Sequence, residues 1–374
     1  MHFQKAKLIH VEIPLIAPFK TSYGELKSKD FYIIELMNAD GIYGYGELEA
    51  FPLPDYTEET LETAIKIIKQ HLLPLITQKE IHFPEEVHGI FNWIQGNEMA
   101  KSAVELAVWD AFAKSEKSSL ARMIGANKDF ISVGISIGLQ NNPNDLLQLV
   151  EQYVQAGYQR VKLKVAPNHD IQYIKAVREK FPKLSLMADA NSAYNREDFL
   201  LLKELDQFDL EMIEQPFGTK DFVDHAWLQS QLKTRICLDE NIRSLGDVRQ
   251  AHLLGSCQAI NLKLARVGGM CEALRIAEYC AENKLLVWCG GMLEAGIGRA
   301  HNIALAARSE FEFPGDISAS NRYFHEDIIS PDFVLDKGRL RVPTDNGIGV
   351  TLNSDVLKKY TKSTEEMLLN IGWS

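Results

Sequence analysis

Five ionisable residues, Lys164, Asp189, Glu214, Asp239 and Lys263, stand 25, 25, 25 and 24 positions apart, and each closes a short apolar run: QRVKLK, LSLMAD, LEMIE, RICLD and QAINLK. A repeat of about that length is one βα unit, because a barrel of ~250 residues holds eight of them. Residues at equivalent places in successive units face one mouth, so the five side chains are predicted to form an arc around a single pocket. From about Asp129 onward, eight strand candidates alternate with helical stretches: ISVGISIG, YQRVKLKVA, LSLMADAN, LEMIEQP, RICLDEN, QAINLKLARVGG, LLVWCGG and FEFPGDIS. That alternation predicts a parallel α/β architecture. A doubly wound open sheet would alternate too, but no G-x-G-x-x-G follows a first strand, and polar residues recur at the ends of successive strands, which favours a barrel.

The flanks read differently. Residues 1 to about 50 give strand-like runs with Asp40-Gly41 as a hairpin signal. From Thr57 the pattern turns helical, through TEETLETAIKIIKQHLLPLI, with a Thr cap and an acidic first turn, and EMAKSAVELAVWDAFAKSEKSSLARMIG. An N-terminal α+β domain is predicted over 1–128 and the barrel over 129–320. The segment 321–374 is predicted to return to the first domain through FVLDKGRLRVP, GIGVTL and an amphipathic tail. A chain of 374 residues exceeds what one compact core usually holds.

Composition narrows the partners. The apolar fraction is 46%, the charged fraction 24%, and no window approaches the ~18 uninterrupted apolar residues of a membrane span. The start alternates like a strand and carries no export signal, so a soluble, cytoplasmic protein is expected. A net charge of -11 argues against nucleic acid. Five cysteines, Cys237, Cys257, Cys271, Cys280 and Cys289, form no C-x-x-C pair and are expected to be reduced. The expected partner is a small-molecule carboxylate, with no nucleic acid and no membrane, and a homo-oligomer is the expected assembly.

Lys162 and Lys164 are two apart on a predicted strand and share one side, while Val161, Leu163 and Val165 take the other. Crowding two ammonium groups is a known way of making a lysine basic in function. Asp189, Glu214 and Asp239 offer only hard oxygen ligands, and no neighbouring Cys or His set competes, so Mg²⁺, with Mn²⁺ as substitute, is predicted rather than Zn²⁺. Any one of these acids alone reads equally as a helix N-cap after its strand. Three at matched positions point to a metal.

The set VKLKVAP, MADANSAY, MIEQPF, CLDENI and INLKLARVGG, followed by WCGGMLEAGIGRAHN and PGDISAS, resembles the muconate-lactonising branch of the enolase superfamily. The resemblance runs through nearly the whole chain, AVWDAFAK included. It implies a (β/α)7β modified TIM barrel under an α+β capping domain. It implies Asp189, Glu214 and Asp239 as magnesium ligands, Lys164 and Lys263 as an acid/base pair on opposite faces of the substrate, and Lys162 as a charge against the developing enolate. Ser136, Asn191 and the Gly291-Met292-Leu293 backbone would border the substrate, with Phe19, Thr21, Tyr23 and Pro54–Tyr56 closing over it. The implied reaction is α-proton removal from a cyclohexadiene carboxylate bearing a succinyl group, then loss of the β-hydroxyl as water. The alternative is racemisation of N-acyl or N-succinyl amino acids through the same enolate. Dipeptide epimerases resembling this branch carry Asp-x-Asp on the last strand, where this chain has Asp316-Ile317-Ser318.

Overall fold

The computed structural model describes residues 1–20 and 24–369. Strands β1 (Phe3–Lys20), β2 (Glu25–Asn38) and β3 (Tyr43–Leu48) form an antiparallel meander. Its second turn is the Asp40-Gly41 hairpin, where Asn38 Oδ1 accepts from the backbone N–H of Asp40 and Ile42, and Gly41 takes a φ of 76°. Side chains alternate across the sheet, so neighbours Ile33 and Ile34, both fully buried, serve different cores. Ile33 joins the barrel's apolar cluster and Ile34 that of the cap helices.

Helix α1 (Glu98–Ser115) lies between the cap and the barrel, which explains its apolar residues on every side. It packs directly on the β3 backbone: a Cβ at Gly44 or Gly46 would stand 2.0 or 1.9 Å from the carbonyl oxygens of Ala107 and Ala103. The helical run expected from Thr57 begins instead at Leu61, where Thr60 caps it by accepting from Thr63 N–H. Glu58 and Glu59 are taken by tertiary partners, Arg243 and the start of α1.

The barrel strands are β4 (Gly134–Ile137), β5 (Arg160–Lys164), β6 (Ser185–Asp189), β7 (Met212–Glu214), β8 (Arg235–Leu238), β9 (Ala259–Leu262) and β10 (Leu286–Cys289). They pair in sequence order as one parallel sheet. The two edges are joined at Gly315-Asp316: Gly134 N–H donates to Gly315 O at 2.8 Å, and Asp316 N–H to Cys289 O at 3.0 Å. This segment takes the eighth place. Between the strands run α2 (Pro143–Gln155), α3 (Ile171–Lys180), α4 (Phe199–Leu205), α5 (Val223–Gln231) and α6 (Leu245–Leu254), followed by α7 (Met270–Glu282) and α8 (Gly296–Ala306). Asn142, Asp170 and Ser244 cap α2, α3 and α6 with their own side chains. Met187, Met212, Cys237, Ala259 and Trp288 fill the barrel below its mouth, so it is a packed core and not a pore.

Of the other helices, α1, α7 and α8 start without a side-chain cap of their own. Each takes a distant carboxylate instead. Glu59 accepts from Met99 and Ala100 N–H at the head of α1, at 3.0 and 2.8 Å. Glu105, on α1, accepts from Cys271 N–H in the first turn of α7 at 3.1 Å. Glu47, on β3, accepts from Ala295 and Gly298 N–H at the head of α8, at 2.6 and 2.8 Å. The last two cross from cap to barrel.

Beyond the barrel, Arg339–Arg341 pairs with Phe130–Ser132, and β11 (Thr361–Leu368) pairs antiparallel with β1 as the fourth strand of the cap sheet. No helix among the described residues is long and apolar enough to cross a membrane, and all five cysteines are free thiols.

Candidate active site

Register places the strand tips side by side: Lys164 is opposite Asp189, and Asp189 opposite Glu214. Asp239 and Lys263 follow β8 and β9 by one residue. The even spacing therefore becomes an arc of five side chains, with Lys164 and Lys263 four places apart in an eight-place barrel. The two lysines face each other across the mouth.

Lys162 Nζ lies 2.9 Å from Asp189, 3.1 Å from Glu214 and 2.6 Å from Asp316. Lys164 donates to Asp189 Oδ2 at 2.6 Å and to Asn191 Oδ1. Lys263 donates to Asp239 Oδ2 at 2.7 Å and to Tyr56 Oη at 2.9 Å, a contact from the cap. Burial works against the charge on Lys162, but Asp189, Asp316 and Glu214 outweigh it and hold its pKa well above the ordinary lysine range. Lys263 is raised in the same way, with Asp239 outweighing burial. Burial, then the charge on Asp189, pushes the Glu214 carboxyl up, whereas Lys162 and Lys164 overcome burial and hold Asp189 down.

A cavity of about 300 Å³ opens at this mouth. Lys164, Asn191, Lys263, Gly291, Met292 and Leu293 line it from the barrel, and Phe19, Leu26, Phe51, Leu53 and Tyr56 from the cap side. Pro54 is not among the lining residues, and Thr21 and Tyr23 lie outside the described residues. Ser136 is set back from the cavity. It pairs in register with Lys162, and its hydroxyl is buried with no hydrogen-bond partner among the described residues. Asn191 and Leu293 take left-handed φ values of 42° and 60°, so two lining residues hold sparsely populated backbone at the strand ends. A larger cleft of about 610 Å³ lies at the opposite ends of the strands, by Arg235, Leu286 and Lys284, and none of the five arc residues reaches it.

Two residues central to the charge pattern were not singled out from sequence. Arg160 is fully buried; its Nη1 is 2.7 Å from Asp316 Oδ1, and its Nη2 donates to Pro314 O at 2.8 Å. Burial notwithstanding, Arg160 and Lys162 hold Asp316 well below the usual carboxylate range. The signal was present in RVKLK, where the alternation that puts Lys162 and Lys164 on one face puts Arg160 there as well. Gly134 on β4 makes the room, since a Cβ there would lie 2.4 Å from the guanidinium carbon. Asn261, two before Lys263 on β9, donates to Glu214 Oε1 at 2.7 Å by the same alternation.

Among the described residues, no group of three His, Cys, Asp or Glu side chains closes to metal-binding spacing. The lysine ammonium groups stand between the carboxylates instead. The residues nonetheless fit a hard dication: the donors of Asp189, Glu214 and Asp239 are all oxygen, and Asp239 Oδ1 is buried without a hydrogen-bond partner among the described residues.

A barrel mouth with carboxylates at three consecutive strand ends, flanked by opposed lysines and roofed by a second domain, defines a class of enzyme that handles charge developing on a small anionic substrate. The chain belongs to the mandelate racemase/muconate lactonizing enzyme family of the enolase superfamily. The family described as Mandelate racemase / muconate lactonizing enzyme, N-terminal domain, matches residues 4–125, and Enolase C-terminal domain-like matches 145–356. The chain is 78% identical over 374 residues to o-succinylbenzoate synthase of Listeria innocua, covering 100% of both. It is 38% identical over 361 residues to N-succinylamino acid racemase of Thermus thermophilus, covering 96% of this chain and 98% of that one. The crystal structure of an enolase superfamily member from Listeria innocua Clip11262 superposes with a TM-score of 0.97 at 78% identity, covering 99% of this chain and 100% of that one. Members of this superfamily typically use a divalent metal.

Proposed function

We propose that the protein is an o-succinylbenzoate synthase: it removes the α-proton of 2-succinyl-6-hydroxy-2,4-cyclohexadiene-1-carboxylate and expels the β-hydroxyl as water, giving 2-succinylbenzoate for menaquinone biosynthesis. The observation that carries this reading is the pair Lys164 and Lys263 facing one cavity from opposite sides of the barrel. Lys164 in its neutral form takes the α-proton, and the C–H electron pair moves into the carboxylate to give an enediolate. The resulting Lys164 ammonium returns that proton to the departing hydroxyl on the same face, water leaves, and the ring becomes aromatic. Lys263 stays protonated on the other face and, with Lys162 beneath, opposes the negative charge of the enediolate. A divalent cation held by Asp189, Glu214 and Asp239, Mg²⁺ with Mn²⁺ as substitute, supplies Lewis-acid stabilisation of the substrate carboxylate when bound. Asn191, Gly291, Met292 and Leu293 border the substrate, whereas Ser136, the other residue expected there, is set back from the cavity behind them.

The same geometry favours racemisation of N-succinyl amino acids as a second activity, because one lysine stands ready for each face of an α-carbon. The deciding experiment is the ratio of kcat/KM for dehydration and racemisation on purified enzyme. Dehydration is expected to dominate. Absence of dehydration alongside efficient racemisation overturns the assignment. A cytoplasmic homo-oligomer completes the proposal, the free thiols matching a reducing compartment.

A further inference from the structure

Four ionisable side chains lie buried behind the cavity wall, and the chemistry above uses none of them. Lys29 comes from β2, Glu47 from β3, Glu49 from the residues just after β3, and Glu294 from the turn that follows Gly291–Leu293. Lys29 Nζ lies 2.5 Å from Glu49 Oε2 and donates to the Met292 carbonyl at 3.0 Å. The same ammonium stands 5.6 Å from the centre of the Phe51 ring. Met292 and Phe51 both line the cavity, one from the barrel and one from the cap side. A single cation therefore touches wall from each domain.

The Met292 peptide groups are held by side chains and not by a strand. Its N–H donates to Glu294 Oε1 at 2.7 Å, and that same oxygen accepts from Asn302 Nδ2 at 2.8 Å. With its carbonyl on Lys29, Met292 is fixed at both ends. Burial and the neighbouring Glu47 push the Glu49 carboxyl up, while on Lys29 the charges of Glu49 and Glu47 outweigh burial and raise its pKa. Buried ion pairs of this kind seldom improve stability over apolar packing, because desolvation cancels the attraction. The network needs another reason, and its contacts supply one.

We propose that Lys29 is a positioning residue for substrate binding, its ammonium fixing the Met292 carbonyl and the Phe51 ring so that one side chain couples the seating of the cap to the shape of the cavity. The proposal rests on the reading of this cavity as the substrate site. Lys29→Met keeps an unbranched stem and removes the donor. It is expected to raise KM for the dehydration substrate by ~10-fold or more while kcat changes by less than about 3-fold. Hydrogen exchange of a peptide spanning residues 290–295, measured without substrate, is expected to speed up in the same variant.

A merely structural role is separated by Lys29→Met/Glu49→Gln, which removes the carboxylate that Lys29 neutralises. This double variant is expected to recover the Tm lost by the single one, but neither the wild-type KM nor the slow exchange. It also carries every readout if Lys29→Met does not fold. Wild-type KM and exchange in the double variant would show that Lys29 serves only to balance Glu49, and wild-type values in the single variant would equally overturn the proposal. If wild-type enzyme fails to turn over the substrate, the functional reading falls, and the exchange measurement alone still decides the positioning role.

Discussion

On the proposed mechanism, the lysines at the tips of β5 and β9 address opposite faces of the substrate, which makes them distinguishable. With single enantiomers of an N-succinyl amino acid in deuterated water, Lys164→Ala and Lys263→Ala should each lose racemisation, and any residual α-proton exchange should involve opposite enantiomers. If both variants exchange the same enantiomer, the opposed arrangement is wrong. The oxygen-only donors lead to a second expectation: chelation abolishes turnover, and Mg²⁺ or Mn²⁺ restores it where Zn²⁺ does not. Glu214→Gln should stay folded, by circular dichroism, and behave like the chelated enzyme; full activity in a metal-stripped sample would sink the ligand set. At this scale the arc was legible because strand ends recur at a fixed interval. The partnership of Arg160 with Asp316 was not legible, since it joins residues from β5 and the segment closing the barrel, which no local pattern relates.

Element boundaries followed local rules only where no distant residue competed. Thr60 caps its helix as a Thr should, but the acidic residues before it, which read as a first helical turn, are drawn off by Arg243 and the head of α1. Barrel strands and the hairpin were readable from periodicity, whereas the tail's pairing with β1 depends on where the chain returns in space. The helix heads capped from afar carry a pH dependence. Burial pushes the Glu105 carboxyl up to about 8. Its folded pKa thus exceeds the ordinary ~4.3 of the unfolded chain, so the folded state binds the extra proton between those values and loses stability as pH rises through about 8. Glu105→Gln keeps the carbonyl acceptor and never ionises. Thermal melts should find the variant close to wild type near pH 5 and roughly 5 °C or more above it at pH 9. Parallel curves across that range would show that Glu105 is not the group that titrates. Next to it, a Cβ at Gly269 would stand 1.4 Å from Glu105 Oε2, where φ is 124°. Gly269→Ala should therefore cost about 1–3 kcal/mol in urea unfolding, and an unchanged midpoint would contradict the packing.

Over the whole molecule, the first and last described strands are bound together, with β11 laid along β1 from Lys5↔Leu368 to Val11↔Thr361. Truncation before Thr361 would leave β1 as an open edge, and such edges recruit further strands. The shortened protein should show a lower Tm and rising light scattering, while a monodisperse product of unchanged Tm would mean the fourth strand is dispensable. The glutamates that reach from cap to barrel bear on how such an enzyme can be recombined. Glu47 and Glu105 complete the first turns of α8 and α7, the helices that follow the cavity-lining Gly291–Leu293 turn and the Lys263 loop. A barrel grafted beneath a foreign cap would lose both acceptors at once, and its active-site loops would be anchored to unfinished helices. A cap exchange that keeps these helices capped therefore needs a donor that brings a carboxyl to both places.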